Sequence, residues 1–472
     1  MAADRSPHWT PDEFRRHGHE VVEWVARYLE TLEERTVQST VAPGWVRDQL
    51  PASPPEAPEP FADVLADLDR VVVPALTHWQ HPGWFAYFPT GASGPSVLAD
   101  LVSSGLGVQG MLWSTSPACT ELETHVLDWM AELLGLPERF RSDGDGGGVI
   151  EESASGATLC ALLAARWRAA GDGPFEHLRA YTSDQAHSSV EKAVRIAGLR
   201  PEQLRVVGTA AAEGYAIDPT VLGAAMAEDR AAGLVPFLVV ANTGTTSSTA
   251  LDPIGAIAHV TAREGAWLHV DAAHAGSALV CPELRWVADG IDGADSFCMN
   301  PHKWLLTNFD CDCFWVADRA ALIGALSVLP EYLRNTASES GAVIDYRDWQ
   351  LPLGRRFRAL KLWFVLRSYG AEGLRRVVRQ HVELAQDLAG RVGAHPKLEL
   401  AAPHPLNLVC FRHVDGDDAT EALLAGINAT GRVLLTHTRL DGTLVIRVSI
   451  GAQATERRHV DALWDTMAAL AA

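Results

Sequence analysis

Three polar clusters in the middle of this sequence contain the residues best suited to chemistry, and each follows a short apolar run. The runs cover residues 235–241, 266–270 and 296–299, and the clusters are residues 242–246, Asp271 and residues 300–303. Apolar runs that alternate with helical patterns are typical of a mostly parallel sheet. Ligands of open α/β sheets bind beyond the carboxyl ends of the strands. The sequence therefore predicts one site that unites the three clusters.

Lys303 is the candidate nucleophile of that site. It lies just past the third apolar run, between a histidine and a tryptophan. A lysine in a partly dry pocket has a depressed pKa and can form an imine with an aldehyde. The local sequence leaves open the alternative of an ordinary surface lysine that follows a strand.

Asp271 and the start of a helix near Ser153 are the candidate cofactor contacts. The two alanines after Asp271 leave room for a flat ring, and its carboxylate can pair with a pyridine nitrogen and make the ring an electron sink. Ser153 and Ser155 follow the glycine-rich residues 144–149, at a predicted helix N-terminus that suits a phosphate. The alternatives are a turn-capping aspartate and ordinary helix capping by serine. The absence of a P-loop or dinucleotide-binding glycine pattern disfavours a nucleotide.

His187 and Tyr332 are two further candidates. His187 follows a strand-like run at residues 180–182, and its imidazole could stack on a cofactor ring. Tyr332 begins a polar stretch with little core pattern, from which a phenol could deliver a proton to a closed site. A structural histidine and a half-exposed loop tyrosine are the commoner alternatives.

The elements that position these residues fall into three parts. Thr10-Pro11-Asp12-Glu13 begins an amphipathic helix, and a segment with five prolines at residues 51–60 separates it from a second amphipathic stretch at residues 61–72. Two such helices bury little surface alone, so we expect them to pack on another domain or a partner subunit. From residue 361 a long helical pattern, then short strands near 408–411 and 443–449, indicate a small α+β domain.

Composition excludes several classes of protein. The net charge of −20 argues against binding to nucleic acid or to an anionic membrane. The sequence contains neither 18 consecutive apolar residues nor a signal-peptide pattern at its start, so we expect a cytoplasmic protein. The seven cysteines are scattered, and Cys311 and Cys313 lack a second ligand pair at zinc-site spacing. We interpret them as core residues and predict no metal site.

Six sequence blocks, in order, resemble the group II pyridoxal-phosphate decarboxylases over residues 14–468. Four of them are DQAHSSVEKA, WLHVDAA, NPHKWLL and residues 352–364. The other two, THWQHPGWFAYFPT and SPACTELE, narrow the resemblance to the aromatic-L-amino-acid decarboxylases. The resemblance implies decarboxylation of aromatic L-amino acids to arylalkylamines and carbon dioxide, with pyridoxal 5'-phosphate as the cofactor.

The same resemblance implies the fold and the assembly. It implies a fold-type I α/β enzyme, whose large domain contains a mostly parallel seven-stranded sheet, with an N-terminal helical flap and a small C-terminal α+β domain. We place the N-terminal helical segment at residues 1–93, the cofactor-binding domain at 94–360 and the small domain at 361–472. The resemblance further implies a homodimer with active sites at the subunit interface.

Individual residues take roles from the family by position. The lysine matching Lys303 carries the cofactor as a Schiff base, the aspartate matching Asp271 pairs with the pyridine nitrogen, and the histidine matching His187 stacks on the ring. Tyr332 matches the tyrosine that protonates the substrate carbon after carbon dioxide leaves. Other positions that match cofactor contacts are Ala154, Ser155, Thr246, Ala273, Asn300, His302 and Gly354. Positions that match the substrate pocket are Trp79, Tyr87, Phe88, Pro89, Thr90, Met111 and, again, His187.

Two positions depart from the family pattern and leave the substrate open. Met111 stands where an aromatic residue of the partner subunit usually lines the substrate ring, and His274 stands where a tyrosine usually follows the Asp271 motif. Phenylalanine, tyrosine, tryptophan and dihydroxyphenylalanine therefore all remain candidate substrates.

Three other functions are alternatives to the simple decarboxylation of aromatic amino acids. Aldehyde synthases of the same fold typically replace the loop tyrosine or the stacking histidine, whereas this chain keeps Tyr332 and His187. A decarboxylase of acidic or diamino acids is disfavoured by the apolar, aromatic residues 79–89, because a charged substrate side chain needs a charged partner. A non-catalytic cofactor-binding protein is the third alternative.

Overall fold

A seven-stranded sheet organises the middle of the chain in the computed structural model, which describes residues 8–328 and 343–472. Its strands are β1 (Gly147–Glu151), β2 (Leu178–Ser183), β3 (Leu204–Val207), β4 (Val235–Asn242), β5 (Trp267–Asp271), β6 (Ser296–Met299) and β7 (Asp312–Val316). Their order across the sheet is β1-β7-β6-β5-β4-β2-β3. Strand β7 runs antiparallel to both of its neighbours, and the remaining pairs are parallel. The predicted mostly parallel, seven-stranded α/β architecture is confirmed.

The N-terminal helices bury little surface, as their sequence predicted. Its helices are α1 (Pro11–Glu30), α2 (Trp45–Gln49) and α3 (Phe61–Asp67), and a π-helical turn at Leu68–Val72 follows α3. The predicted capping box between Thr10 and Glu13 begins α1, and no residue of α1 is buried. Apolar side chains such as Phe14 and Val22 are therefore left exposed.

Helices cover both faces of the large sheet, which explains why its strands read as apolar runs. They are α4 (Gly94–Leu106), α5 (Pro117–Leu134), α6 (Ala154–Ala170), α7 (Ser189–Ile196), α8 (Pro219–Ala231), α9 (Ile254–Glu264), α10 (Pro301–Trp304) and α11 (Arg319–Leu326). Side chains alternate along each strand, so Val149, Cys298 and Phe314 pack with α6, whereas Ile150 and Met299 belong to the core on the other face.

A second, antiparallel sheet follows a long helix in the C-terminal part. Helix α12 (Arg358–Ala394) is kinked at Gly370, where φ is +63°. It precedes strands β8 (Leu398–Leu400), β9 (Leu408–His413), β10 (Thr436–Leu440) and β11 (Thr443–Ser449), which pair in the order β10-β11-β9-β8, and helices α13 (Asp417–Ala429) and α14 (Arg457–Leu470). The long helix and the strands β9 and β11 were predicted. Strands β8 and β10 were not, because their residues are only partly buried.

The cysteines are core residues, as predicted, and all seven are buried without a disulfide. Within residues 8–328 and 343–472, no group of His, Cys, Asp and Glu side chains is arranged to hold a metal ion. None of the helices described here combines the length and the apolar character needed to cross a membrane.

A buried ion pair joins α5 to the segment that precedes α12. Arg355 donates to Glu123 Oε1 at 2.5 Å, and the same carboxylate oxygen accepts the Ile150 N–H of β1 at 2.8 Å. Both side chains are almost fully buried. The pair therefore ties a helix, the edge strand and the C-terminal part together at one point.

We predict that Arg355→Leu destabilises the protein by about 3–5 kcal/mol, because it leaves the Glu123 carboxylate buried without its cation. Lys397→Met, which removes the exposed partner of Asp415, is the control and should have a much smaller effect on stability. Thermal and urea unfolding measure both values. Equal costs for the two variants would contradict a structural role of the buried pair.

Candidate active site

A cavity of about 200 Å³ lies at the carboxyl ends of β4, β5 and β6, where the strand-end clusters predicted a site. The structure brings ten of the predicted site residues to its wall: Phe88, Ala154, Ser155, His187, Thr246, Asp271, Ala273, Asn300, His302 and Lys303. The three polar clusters thus meet in one place because parallel neighbouring strands end at the same edge of a sheet.

Lys303 reaches this cavity from the short helix α10, which begins two residues after β6 ends. Its Nζ lies 5.7 Å from the centroid of the Phe88 ring. Loss of hydration lowers the pKa of Lys303, and the carboxyls of Asp271 and Asp312 only partly oppose that effect. Lowering the pKa enlarges the neutral fraction of the amine, and the neutral amine is the form that attacks an aldehyde.

Asp271 is the last residue of β5 and is buried in the cavity wall. Its Oδ1 accepts the Ala273 N–H at 2.9 Å, which fixes the carboxylate on the backbone. Ala273 also lines the cavity, so the two small residues after Asp271 leave the space that the sequence indicated. The carboxylate is therefore placed to pair with a protonated ring nitrogen.

The N-terminus of α6 faces the same cavity. Ser153 caps the helix by accepting the Gly156 N–H at 3.3 Å, and Ala154 and Ser155 form the first turn. The first N–H groups of a helix have no intrahelical acceptor, and the helix dipole adds positive potential there. Such an end binds phosphate.

The turn that follows β4 completes this end of the cavity. Gly244 has φ +84°, and a Cβ on it would lie 2.5 Å from the Cβ of Ala275. Only glycine fits this conformation and this close approach. The turn thereby carries Thr245 and Thr246 to the cavity wall.

His187 is neutral and has a defined tautomer. Its Nδ1 accepts the Ser189 N–H at 3.2 Å and lies 3.0 Å from Ser189 Oγ, so the proton is on Nε2. Burial lowers the pKa of His187, which keeps the ring uncharged at neutral pH. A neutral, oriented imidazole can lie flat against a cofactor ring without adding charge to the cavity.

Two more histidines at the cavity are also neutral. Burial lowers the pKa of His302 to about 3, and its Nδ1 accepts the Cys311 N–H at 2.9 Å. Burial likewise lowers the pKa of His274 to about 3. The His274 ring is stacked between Phe88 and Trp304, with ring centroids 3.8 and 5.0 Å away, and its Nε2 lies 2.8 Å from Asn407 Oδ1.

Several predicted substrate and cofactor residues lie outside this cavity wall. Trp79 and Tyr87 stack on each other with centroids 5.7 Å apart and are largely exposed. The remaining ones are Pro89, Thr90, Met111 and Gly354. Tyr332 lies outside the described residues.

The other wall residues are Ser153, Asn242, Gly244 and Thr245, which belong to the predicted helix start and strand-end cluster, His274, which the sequence singled out as a departure from the family pattern, and Ser189, which was not predicted. Most of these residues lie next to a predicted residue in the sequence, so the polar clusters at the strand ends already indicated their place in the site. Arg447 is different because it comes from β11. It donates to the carbonyl of Thr246 at 2.6 Å and to that of Tyr87 at 3.4 Å, and it thereby fixes two segments of the site.

The donor set fits a flat, phosphate-bearing pyridine aldehyde. Asn300 Oδ1 is buried in the cavity wall without a hydrogen-bond partner among the described residues. Buried polar atoms of this kind require a partner, which a bound polar group supplies. A lysine amine, a carboxylate and a helix N-terminus lie around the same space, and they match the aldehyde, the ring nitrogen and the phosphate, respectively.

Comparison with known proteins also indicates a pyridoxal-dependent enzyme. A family model, the pyridoxal-dependent decarboxylase conserved domain, matches residues 43–414. The chain is 48% identical over 463 residues to a phenylacetaldehyde synthase of Arabidopsis thaliana, covering 96% of this chain and 94% of that protein. It is 46% identical over 473 residues to the aromatic-L-amino-acid decarboxylase of Sus scrofa, covering 98% and 96%.

A solved structure resembles the whole chain. The crystal structure of Oryza sativa TDC with PLP and tryptamine superimposes with a TM-score of 0.97 at 41% identity and covers 99% of both chains. The chain therefore belongs to the pyridoxal-dependent decarboxylase family, within its aromatic-amino-acid decarboxylases, and its cofactor is pyridoxal 5'-phosphate.

Proposed function

We propose that this enzyme decarboxylates aromatic L-amino acids to arylalkylamines and that Lys303, Asp271 and His187 act on the cofactor. The observation that carries the proposal is the convergence of the Lys303 amine, the Asp271 carboxylate and the α6 N-terminus on one cavity. When bound, pyridoxal phosphate supplies an aldehyde that links to amines and a ring that accepts the electrons released with carbon dioxide.

The residues of the chain provide attachment, orientation and charge. Lys303 would hold the cofactor through its amine, and its lowered pKa makes that amine available for the link to an aldehyde. Asp271 keeps a proton on the ring nitrogen, so the ring stays electron-deficient. The α6 N-terminus, with Ser155 and Thr246, holds the phosphate and fixes the ring in the cavity. These contacts contribute to the reaction mainly through positioning and electrostatics.

We further propose that His187 stacks on the ring and that Tyr332 protonates the substrate carbon after carbon dioxide has left. The neutral tautomer of His187 supports its part of this proposal, because a charged imidazole would repel a protonated ring. The role of Tyr332 rests on the sequence motif. Gly354 and the substrate positions Trp79, Tyr87, Pro89, Thr90 and Met111 also remain proposals.

An aromatic aldehyde synthase is the second candidate function. The 48% identity to the phenylacetaldehyde synthase of Arabidopsis thaliana favours it. The presence of both His187 and Tyr332 supports the amine as the product, because the sequence pattern of aldehyde-forming relatives typically changes one of the two.

A second copy of this chain is the proposed partner. Helix α4 exposes Leu98, Leu101, Val102 and Leu106 along one side, and the apolar residues of α1 are exposed as well. Exposed apolar patches of this kind mark protein interfaces. Trp79 and Tyr87, predicted for the substrate pocket, are exposed too, so a partner subunit would complete the pocket at their side. The domain boundaries at residues 93 and 360 and the cytoplasmic location remain predictions.

Lys303→Ala should abolish the visible absorption of the bound cofactor and reduce turnover by at least about 10³-fold, since the attachment amine is lost. Lys192→Ala, at an exposed position of α7, should change neither. Absorption spectra, borohydride trapping and amine formation measure these effects. A visible band that persists unchanged in Lys303→Ala would rule out the proposed attachment.

Wild-type enzyme supplied with phenylalanine, tyrosine, tryptophan or dihydroxyphenylalanine should release amine and carbon dioxide in equal amounts. Glutamate and 2,4-diaminobutyrate should react at least about 100-fold more slowly because burying their charge without a partner is costly, and histidine should do so because its polar ring nitrogens would be buried without partners. Chromatography of products, with assays for ammonia and peroxide, decides between the two candidate functions. Aldehyde as the main product, with equimolar ammonia, would support the synthase instead.

The double variant Leu98→Glu and Leu101→Glu should dissociate the dimer and reduce activity, because two charges would enter an apolar interface. Val221→Glu is the matched control, since Val221 on α8 is 51% exposed and Leu101 is 50% exposed. Sedimentation velocity gives the oligomeric state of each protein. A fully active wild-type monomer would contradict the proposal.

A further inference from the structure

Two buried carboxyls, Glu151 and Asp312, lie next to the cofactor site, and the proposed chemistry does not use them. Glu151 is the last residue of β1 and Asp312 is the first residue of β7, and the antiparallel register places them directly opposite each other. Such a pair shares a face of the sheet, with Cβ atoms about 4.5–5.5 Å apart. Their exposures are 1% and 0%.

These carboxyls continue a row that begins at the site. Asp271 ends β5, Lys303 follows the end of β6, and Asp312 begins β7. Strand β6 lies between β5 and β7 in the sheet, so Lys303 lies between the two aspartates. Strand spacing and register, which pairs Cys298 with both Asp271 and Phe314, place the backbone of Asp312 roughly 12 Å from that of Asp271. Asp271, Asp312 and Glu151 alternate with residues of the opposite core and therefore share the face covered by α6.

Cations are scarce around this pair. The titratable or charged groups that interact with it from the neighbouring elements are Glu152, Cys160, Asp271, Cys298, Lys303, Cys311, Cys313 and Arg355. Arg355 is already paired with Glu123 at 2.5 Å. Lys303 interacts electrostatically with both Asp271 and Asp312, so it is not a cation for Asp312 alone. The row therefore contains more carboxyls than positive charges.

The hydrogen bonds of the pair are equally sparse. Within residues 8–328 and 343–472, both oxygens of Asp312 are buried without a hydrogen-bond donor. Glu151 Oε1 accepts a long contact of 3.4 Å from the Cys160 thiol, and the Glu151 carboxyl shares a hydrogen bond with the side chain of its neighbour Glu152. Two ionised carboxylates cannot persist this close together in a dry environment, because neither hydration nor a cation offsets their repulsion.

We propose that Glu151 and Asp312 form a protonated carboxyl pair that becomes negative in alkaline solution and then holds the proton on the Lys303-linked cofactor more tightly. Asp312 is thus a positioning residue that acts through Lys303. The inference rests on the proposed attachment of the cofactor to Lys303. Burial and the neighbouring Glu152 raise the pKa of Glu151 to about 8, and burial and Glu151 raise the pKa of Asp312 well above its usual range.

The first test is the stability of the protein as a function of pH. An acid whose folded-state pKa is raised adds stability that is complete below its unfolded pKa, near 4.5, and is lost as the pH rises through about 8. The variant Glu151→Gln with Asp312→Asn copies the protonated pair at every pH. The melting temperature of this variant minus that of wild type should increase by about 3–5 °C from pH 5 to pH 9. A difference in melting temperature between the variant and wild type that stays constant from pH 5 to pH 9 would overturn the proposal.

The second test is the visible absorption of the holoenzyme between pH 6 and pH 10. At pH 6.5 wild type and the double variant should have the same spectrum, because the pair is neutral in both. The midpoint at which the linking nitrogen loses its proton should be about 1 pH unit lower in the variant, which lacks the alkaline negative charge. Equal midpoints, or spectra that differ equally at pH 6.5, would overturn the proposal.

Two further proteins make the result unambiguous. Asp415→Asn removes an exposed carboxyl that pairs with Lys397 and should leave the band unchanged. Glu151→Gln alone should show the same direction of change if the double variant folds poorly. Wild type without any visible band would contradict the attachment to Lys303, whereas a wild-type band that the variants leave unchanged would contradict only the carboxyl pair.

Discussion

The loss of water around the Lys303 amine is the constraint on which the site depends. A desolvated ammonium is costly, so its pKa falls, and the nearby Asp271 carboxylate limits the fall. The balance yields an amine that can react and a site that still tolerates a cation. That balance requires Lys303 and Asp271 to stand at the ends of neighbouring strands, which the parallel register of β5 and β6 provides.

The anion-binding end of the cavity uses a different kind of charge. The basic side chains among the described residues of the wall are Lys303 and three histidines, and burial lowers the pKa of His187, His274 and His302 so that these rings add no charge there at neutral pH. A phosphate there is held by the N–H groups and the dipole of α6 and by hydroxyl groups of the wall. Fixed dipoles of this kind do not titrate, so phosphate binding is separated from the proton chemistry at Lys303.

The sequence predicted the positions of β4, β5 and β6 because strands covered on both faces appear as apolar runs that end in polar clusters. The same rule failed for β1 and β7, because neither is a plain apolar run. Strand β1 begins with two glycines and ends with the buried acid Glu151. Strand β7 begins with the buried acid Asp312, which a cysteine follows. Arg447 was missed because its partners, Thr246 and Tyr87, lie hundreds of residues away in the sequence. Pairwise tertiary contacts of this kind leave no local pattern.

The buried acids also explain why the edge of the large sheet is electrostatically unusual. Among the described strands of the large sheet, β7 alone runs opposite to the common direction, so its first residue, rather than its last, lies at the cofactor edge. Asp312 is therefore placed beside Lys303 by topology, and Glu151 follows from its register with Asp312. Since hydrophobic residues of similar size would cost less to bury, retention of two acids here is better explained by an effect on the charge at Lys303 than by stability.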